Sequence, residues 1–318
     1  MLILWLALAC GGSKDDTDDS DAGHGELVLD QTPLDPNAPI EPVAEWEKEF
    51  FEDLALIWHI PENPRGVVWV FHGTGGSAST ANQMETIAIL NEFVKIDIGF
   101  VAASSDDPEK WDTDGKPKGN EDLQRAMRIR DDLMGRSDWT DGTPVFTWGF
   151  SNGAKMAGTF ADFALDEGWP IRAISSHNGA SSSDQVPTIF VDSENDDTMA
   201  GGPIGNTIEA LEDNGVAVES YMATEDPLHP MRFLRIANFN EAKSQFQFDE
   251  LVDWGHVDAD GVRITDVDNI EGVVNQITSE SEGWGPVTAA EQLRVVWCTH
   301  RIDGRFALEE RNFFAAQL

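Results

Sequence analysis

The segment 144–157 reads PVFTWGFSNGAKMA and predicts a strand that turns directly into a helix. Its first part, VFTWGF, is rich in β-branched and aromatic residues, which is typical of a buried strand. From Asn152 onward apolar residues recur at helical spacing and no proline interrupts them. Ser151 therefore lies at the junction, with Gly149 and Gly153 two residues away on either side. So tight a turn crowds the backbone, and glycine leaves room for it.

Apolar segments that predict strands alternate with helical segments along most of the chain. Further strands are expected at 54–60, 67–71, 98–103, 171–175, 188–191 and 216–221, and helices at about 80–94, 121–134 and 207–214. This alternation predicts the α/β class, with a mostly parallel sheet and helices on both faces. Reactive groups in such sheets gather at the carboxyl ends of the strands.

The composition limits the possible partners. The chain has 318 residues, of which 58 are acidic and 21 basic, so the net charge is −37. Phosphates would be repelled, which argues against a nucleic-acid partner, and an anionic membrane surface is disfavoured for the same reason. The two cysteines, Cys10 and Cys298, provide neither a disulfide framework nor a cysteine-based metal site.

The N-terminal residues indicate export. Residues 1–10, MLILWLALAC, have an apolar core of signal-peptide length that is too short to span a bilayer. The ending LALAC resembles the bacterial lipobox, which implies lipidation of Cys10. Residues 11–43 predict a disordered, acidic and proline-rich tether ahead of a domain at 44–318. We therefore expect a bacterial cell-envelope lipoprotein or a secreted protein, in contact with a membrane only through the lipid anchor.

A glycine-rich loop, HGTGG at 72–76, follows one of the predicted strands. Acyl transfer builds negative charge on a carbonyl oxygen, and backbone N–H groups that already point there stabilise it. With this loop and the GFSNG turn, the chain from about residue 54 onward resembles the α/β-hydrolase family. The resemblance implies that Ser151 is the nucleophile and that the N–H groups of Thr74 and Asn152 form the oxyanion hole.

The same family places the catalytic acid after the nucleophile and the histidine after the acid. The strand at 188–191 is followed by DSENDDTM. In the family, four residues follow such a strand end, and the next residue is an aspartate that orients the histidine. The resemblance therefore assigns this role to Asp196, with Asp197 as the nearest alternative.

Three histidines follow the acid, namely His229, His256 and His300. His229 is the simplest choice by fold order, because it follows the strand expected at 216–221. Within the family, however, the chain most resembles polyhydroxybutyrate-depolymerase-like esterases. These have a PLxPxRF segment, here 227–233, then a helical insertion and a late histidine before the closing helix. This resemblance favours His300, keeps His229 as the alternative, and leaves His256 as a solvated residue of an acidic turn.

The resemblance implies a serine esterase that forms an acyl-enzyme on a small-molecule or polymeric ester, with polyesters and oligoesters among the substrates. It implies no metal and no organic cofactor. The helical insertion is expected at about 230–290, and the protein is expected to be a monomer. Two alternatives remain open: a peptidase or thioesterase with the same site, and a catalytically silent lipoprotein that uses the fold as a binding surface.

Overall fold

The computed structural model describes residues 27–116, 118–181, 183–198, 203–280 and 286–318. The predicted signal segment and its Cys10 lie outside the described residues. Among the helices that are described, none combines the length and the apolar character that a bilayer crossing requires.

An eight-stranded sheet forms the centre of the domain. Its strands are β1 (Glu47–Phe51), β2 (Leu54–His59), β3 (Gly66–Phe71), β4 (Ile98–Ala103), β5 (Val145–Phe150), β6 (Ile171–His177), β7 (Thr188–Ser193) and β8 (Val218–Ala223). They are ordered β1-β2-β4-β3-β5-β6-β7-β8. The β1–β2 and β2–β4 pairs are antiparallel, and the pairs from β4 through β8 are parallel. The mostly parallel sheet predicted from the alternation is confirmed.

Helices cover both faces of this sheet. The helices of the described residues are α1 (Met84–Val94), α2 (Glu121–Met134), α3 (Asn152–Asp166), α4 (Pro203–Asp213), α5 (Glu241–Asp253), α6 (Ile270–Glu280), α7 (Pro286–Val296) and α8 (Ala307–Ala315), of which α5, α6 and α7 lie outside the two layers on the sheet. Strand β3 is buried throughout, and its side chains alternate between two apolar layers. Val67, Trp69 and Phe71 join the layer that holds α2 and α3, whereas Val68 and Val70 join the layer that holds α1 and α8.

The chain between β8 and α8 builds a third apolar cluster from α5, α6 and α7. Its buried side chains include Phe248, Leu251, Val273, Ile277, Leu293 and Trp297. This is the predicted helical insertion, and it has an apolar core of its own.

The expected disordered tether is wrong for residues 27–43, which pack along the domain. Arg311 Nη2 donates to the Asp30 carbonyl oxygen at 2.6 Å, and Arg232 Nη1 donates to the Pro36 carbonyl oxygen at 2.7 Å. The apolar side chains of this segment pack against the sheet layer that contains α1 and α8: Leu27, Leu29, Leu34 and Ile40. Buried arginines need acceptors, and the carbonyl groups of this segment supply them.

Several elements differ from the prediction, and three of the differences have a clear physical reason or change the element type. Strand β1, EKEFF, was not predicted, because a charged edge strand lacks the apolar pattern of its neighbours. Strand β8 begins at Val218 rather than 216, since the Val216 N–H donates to Leu211 and closes the turn after α4. The helix expected from residue 80 is a short 3₁₀ helix, Ala78–Asn82, followed by α1.

Candidate active site

Ser151 occupies a strained backbone conformation between β5 and α3. Its φ is 57° and its ψ is −119°, a region that non-glycine residues rarely adopt. The Ser151 N–H donates to the His177 carbonyl oxygen at 2.9 Å. A Cβ on Gly149 would lie 2.1 Å from the Gly153 oxygen, and a Cβ on Gly153 would lie 2.1 Å from the Phe71 oxygen. The two glycines are therefore required by close backbone contacts, as expected of a nucleophile elbow.

The glycine-rich loop is held over this elbow by His72. The Ser105 N–H donates to His72 Nε2 at 3.2 Å, so Nδ1 carries the proton and donates to the Gly73 carbonyl oxygen at 2.8 Å. Burial lowers the pKa of His72 and keeps the ring neutral. Trp111 Nε1 donates to the His72 carbonyl oxygen at 2.8 Å. His72 thus fixes the loop rather than acting on a substrate.

The N–H groups of Thr74, in the glycine-rich loop, and of Asn152, in the elbow, are the expected oxyanion donors. A Cβ on Gly73 would be 3.3 Å from Ser151 Cβ, so the loop passes directly beside the serine. Within the described part of the chain, neither the Thr74 N–H nor the Asn152 N–H has an acceptor. The Asn152 side chain is occupied, because its Oδ1 accepts from the Trp111 N–H at 2.8 Å.

Asp196 and His300 are in direct contact. His300 Nδ1 lies 2.6 Å from Asp196 Oδ2, and Asp196 Oδ1 accepts from the N–H (3.0 Å) and the hydroxyl (2.5 Å) of Thr198. Burial alone would raise the pKa of Asp196, but the hydrogen bonds from His300 and Thr198 outweigh it and lower the pKa. The ionised carboxylate can only accept, so His300 Nδ1 carries a proton and Nε2 is left for proton exchange.

The imidazole also lies next to the elbow. The ring of Phe150, the residue before Ser151, packs on His300 with 4.8 Å between centroids. No hydrogen bond joins Ser151 Oγ to His300 in the structure, and such bonds often form only when substrate is bound. The structure thus brings Asp196 and His300 together and places the imidazole against Phe150, the residue before Ser151.

Two asparagines that sequence reasoning missed tie down the chain on both sides of His300. Asn195 Nδ2 donates to the Trp297 carbonyl oxygen at 2.9 Å, and the Asn195 N–H donates to the Cys298 carbonyl oxygen at 3.0 Å. On the other side, Asn178 Nδ2 donates to the Arg301 carbonyl oxygen at 2.6 Å. Their only signal in the sequence is an asparagine just beyond a strand end, in SSHNGA and DSENDD.

The other two candidate histidines lie elsewhere. His229 is exposed, and its Nδ1 accepts from the Met231 N–H at 3.0 Å within a turn. The solvated state expected of His256 is wrong: its ring nitrogens lie 2.8 Å from Thr265 Oγ1 and 3.0 Å from Gln276 Oε1. No described contact joins either ring to the serine or the aspartate above.

Below the elbow lies a buried polar cluster around His177. His177 Nε2 is 3.1 Å from Glu310 Oε1, and Glu310 Oε2 accepts from Trp148 Nε1 (2.9 Å) and Ser175 Oγ (2.6 Å). The His177 side chain is fully buried, so it contacts other protein groups and not solvent. Burial raises the pKa of Asp192 to about 6, although attraction to His177 opposes the shift. Among the described residues no group of three or more His, Cys, Asp or Glu side chains is arranged to hold a metal ion.

Comparisons with known proteins give similarity at the level of structure. No family model and no curated protein matches the sequence. Similar solved structures include an arylesterase, with 15% identity, 59% of this chain and 79% of that chain covered, and a TM-score of 0.42. An esterase from Pyrobaculum calidifontis is 15% identical, with 66% of this chain and 85% of that chain covered and a TM-score of 0.45. An acetyl xylan esterase from Aspergillus awamori is 10% identical, with 58% of this chain and 96% of that chain covered and a TM-score of 0.44.

These three similar structures are esterases. The chain itself has the α/β-hydrolase fold, on the basis of its sheet order and the strand–turn–helix at Ser151.

Proposed function

We propose that the protein is a serine esterase in which Ser151 attacks a carboxylic ester. The observation that carries this proposal is the 2.6 Å contact between Asp196 and His300, located beside a strained serine. Strain of this kind persists only where the surrounding structure enforces it, and it is concentrated at functional sites. A binding surface alone would need neither the strained serine nor the aligned acid and imidazole.

In the proposed reaction, Ser151 Oγ bonds to the ester carbon while its proton passes to His300 Nε2. Asp196 holds the imidazole in orientation and stabilises its charged form. The tetrahedral intermediate then loses the alcohol, which takes the proton from His300. Water repeats the attack on the acyl-enzyme with His300 as base, releasing the acid and restoring the serine.

The negative oxygen of the intermediate would be held by the N–H groups of Thr74 and Asn152. Both are free of acceptors within the described residues, and Gly73 lies beside Ser151. Asn152 is also the first residue of α3, a 15-residue helix whose positive end points toward the developing charge. Removing one such donor typically lowers kcat about 10²–10³-fold.

Labelling with a fluorophosphonate tests the nucleophile. We expect the probe to modify wild-type protein at Ser151, and Ser151→Ala to lose both labelling and hydrolysis of p-nitrophenyl acetate. Ser279→Ala is the control, because Ser279 is exposed at the end of α6. Labelling that persists in Ser151→Ala would remove Ser151 from the nucleophile role. Amide and thioester analogues of the same acyl group separate an esterase from a peptidase or thioesterase.

A further inference from the structure

A cavity of about 260 Å³ lies beside the proposed catalytic groups. Its walls include the glycine loop at 73–76, which holds Thr74, and Phe150, which precedes the nucleophile. Arg301, which follows His300, and Glu291 of helix α7 form another wall. The cavity therefore adjoins the oxyanion loop, the elbow and the histidine segment.

The wall next to His300 is an ion pair. Arg301 Nε donates to Glu291 Oε2 at 2.5 Å and Nη2 donates to Oε1 at 3.3 Å, while Nη1 donates to the His300 carbonyl oxygen at 2.6 Å. Arg294 Nη1 also donates to Glu291 Oε1 at 2.6 Å, and its Nη2 pairs with Glu271 at 2.6 Å. The positive charges of these two arginines equal the negative charges of the two glutamates, so this wall is strongly polar but has no net charge.

The ion pair has hydrogen-bonding capacity to spare. An arginine carries five N–H donors, and three of those of Arg301 are used here. A carboxylate offers about four acceptor sites, and Glu291 receives three donors. Counted over the described residues, free donors and a free acceptor thus lie side by side, an arrangement that suits neighbouring hydroxyl groups, since each hydroxyl both donates and accepts. Thr80 and Gln83 add further polar groups to the lining.

We propose that this cavity binds a small, uncharged, hydroxyl-bearing alcohol portion of the ester, such as a short polyol. The proposal rests on the esterase function proposed above. His300 must protonate the leaving alcohol, so the alcohol lies on the histidine side, where Arg301 and Glu291 are found. A polyol without charge also avoids repulsion from a chain of net charge −37.

The size and lining of the cavity oppose a long apolar chain. A volume of about 260 Å³ corresponds to roughly nine water-sized volumes of about 30 Å³ each, below the range of about 300–1,000 Å³ that is usual for larger ligands. An apolar group in this cavity would leave the spare donors of Arg301 unpaired, which is costly. An alkyl polyester segment is therefore the competing occupant in the test.

The test compares glycerol 1-monoacetate with propyl acetate, which has the same carbon skeleton without the two free hydroxyl groups. We expect kcat/KM to favour the glycerol ester about tenfold, the effect of about two net hydrogen bonds. Gln83→Leu and Glu291→Gln should each move this ratio toward one. Gln245→Leu, on the exposed side of α5, is the matched control and should keep the wild-type ratio.

Fluorophosphonate labelling of every variant separates the possible failures. If Ser151 is labelled but propyl acetate is the better substrate, the polyol proposal is overturned while the esterase function stands. It is overturned equally if octyl acetate, whose alcohol is a long alkyl chain, is cleaved faster than glycerol 1-monoacetate, or if both Gln83→Leu and Glu291→Gln keep the wild-type ratio. If Ser151 is not labelled and no ester is cleaved, the proposed function fails and this inference fails with it.

Discussion

Asn178 Nδ2 donates a hydrogen bond of 2.6 Å to the carbonyl oxygen of Arg301, the residue after His300. The Asn178 side chain is buried and also reaches Ser193 Oγ at 3.1 Å. The end of strand β6 is therefore joined to the segment that presents the imidazole. Since proton transfer depends on the position of that ring, this bond is a candidate determinant of rate.

We predict that Asn178→Asp lowers kcat about 10- to 100-fold while KM changes less. The substitution keeps the shape and the tolerance of a positive φ (45° here) but replaces the donor by an acceptor that faces a carbonyl oxygen. Asn214→Asp is the matched control, because Asn214 also donates from its side chain to a carbonyl, that of Asp184, at an exposed position. Steady-state kinetics decide the matter, and equal effects of the two substitutions would exclude a positioning role.

Single substitutions distinguish the two candidate general bases, His300 and His229. His300→Ala should lower kcat by at least about 10³, because triad members act as a unit. His229→Ala should cost far less, since its ring supports a turn at the surface. Measured kcat values for both variants check the assignment. A nearly normal His300→Ala beside an inactive His229→Ala would establish His229 as the base.

The stability of the protein should depend on Asp192 in a defined pH window. Burial raises its pKa from 3.8 to about 6, so between these values the folded state holds a proton that the unfolded state has released. The free energy of unfolding therefore falls as pH rises from about 4 to about 6. The Asp192→Asn variant should not show this fall, and its free energy of unfolding at pH 7 should exceed that of the wild type by up to about 3 kcal/mol.

Urea denaturation at pH 4, 5, 6 and 7 measures the Asp192 effect. The exposed Asp260→Asn is the control and should follow the wild-type pH curve. The prediction is wrong if the Asp192→Asn curve runs parallel to that of the wild type over the whole window.

Glu85 should be a major contributor to stability. Its buried carboxylate accepts from Arg232 Nη2 (2.9 Å), Arg235 Nη1 (2.7 Å) and the Gly304 N–H (3.1 Å). Removing the carboxylate leaves two buried arginines without their anion, which typically costs about 3–5 kcal/mol. We therefore expect Glu85→Ala to lose about that much free energy of unfolding. Thermal and urea denaturation measure it beside the exposed Glu62→Ala, and similar losses in both variants would contradict the prediction.

The proposed lipid anchor makes a chemical prediction about the mature N-terminus. The sequence LALAC, followed by an acidic segment, predicts cleavage before Cys10 and acylation of its thiol. Mass spectrometry of protein purified from a bacterial membrane should detect a diacylglyceryl-modified Cys10, and Cys10→Ser should release the protein from that membrane. An unmodified cysteine, or a start at another residue, would contradict the anchor.

Local sequence patterns were sufficient to predict the mostly parallel sheet and the turn at Ser151, and the family resemblance supplied the other candidate residues. The elbow could be predicted because Gly149, Ser151 and Gly153 act within one turn. The positioning of His300 could not, since Asn178 and Asn195 act on residues more than 100 positions away and carry only a weak local signal. The packing of residues 27–43 was missed for the same reason, because its partners are distant in sequence. Strand β1 was missed although its partner β2 follows it directly, because its charged sequence lacks the apolar pattern of a strand.

The packing of residues 27–43 also sets how far the domain could move from a membrane. If Cys10 carries the lipid, only residues 11–26 connect the anchor to the first described residue. Sixteen fully extended residues span at most about 55 Å. Had the segment up to residue 43 been free, the reach would have been about twice as long. The enzyme would thus search for esters in a shallow zone above the bilayer, about one protein diameter deep, rather than in the bulk medium.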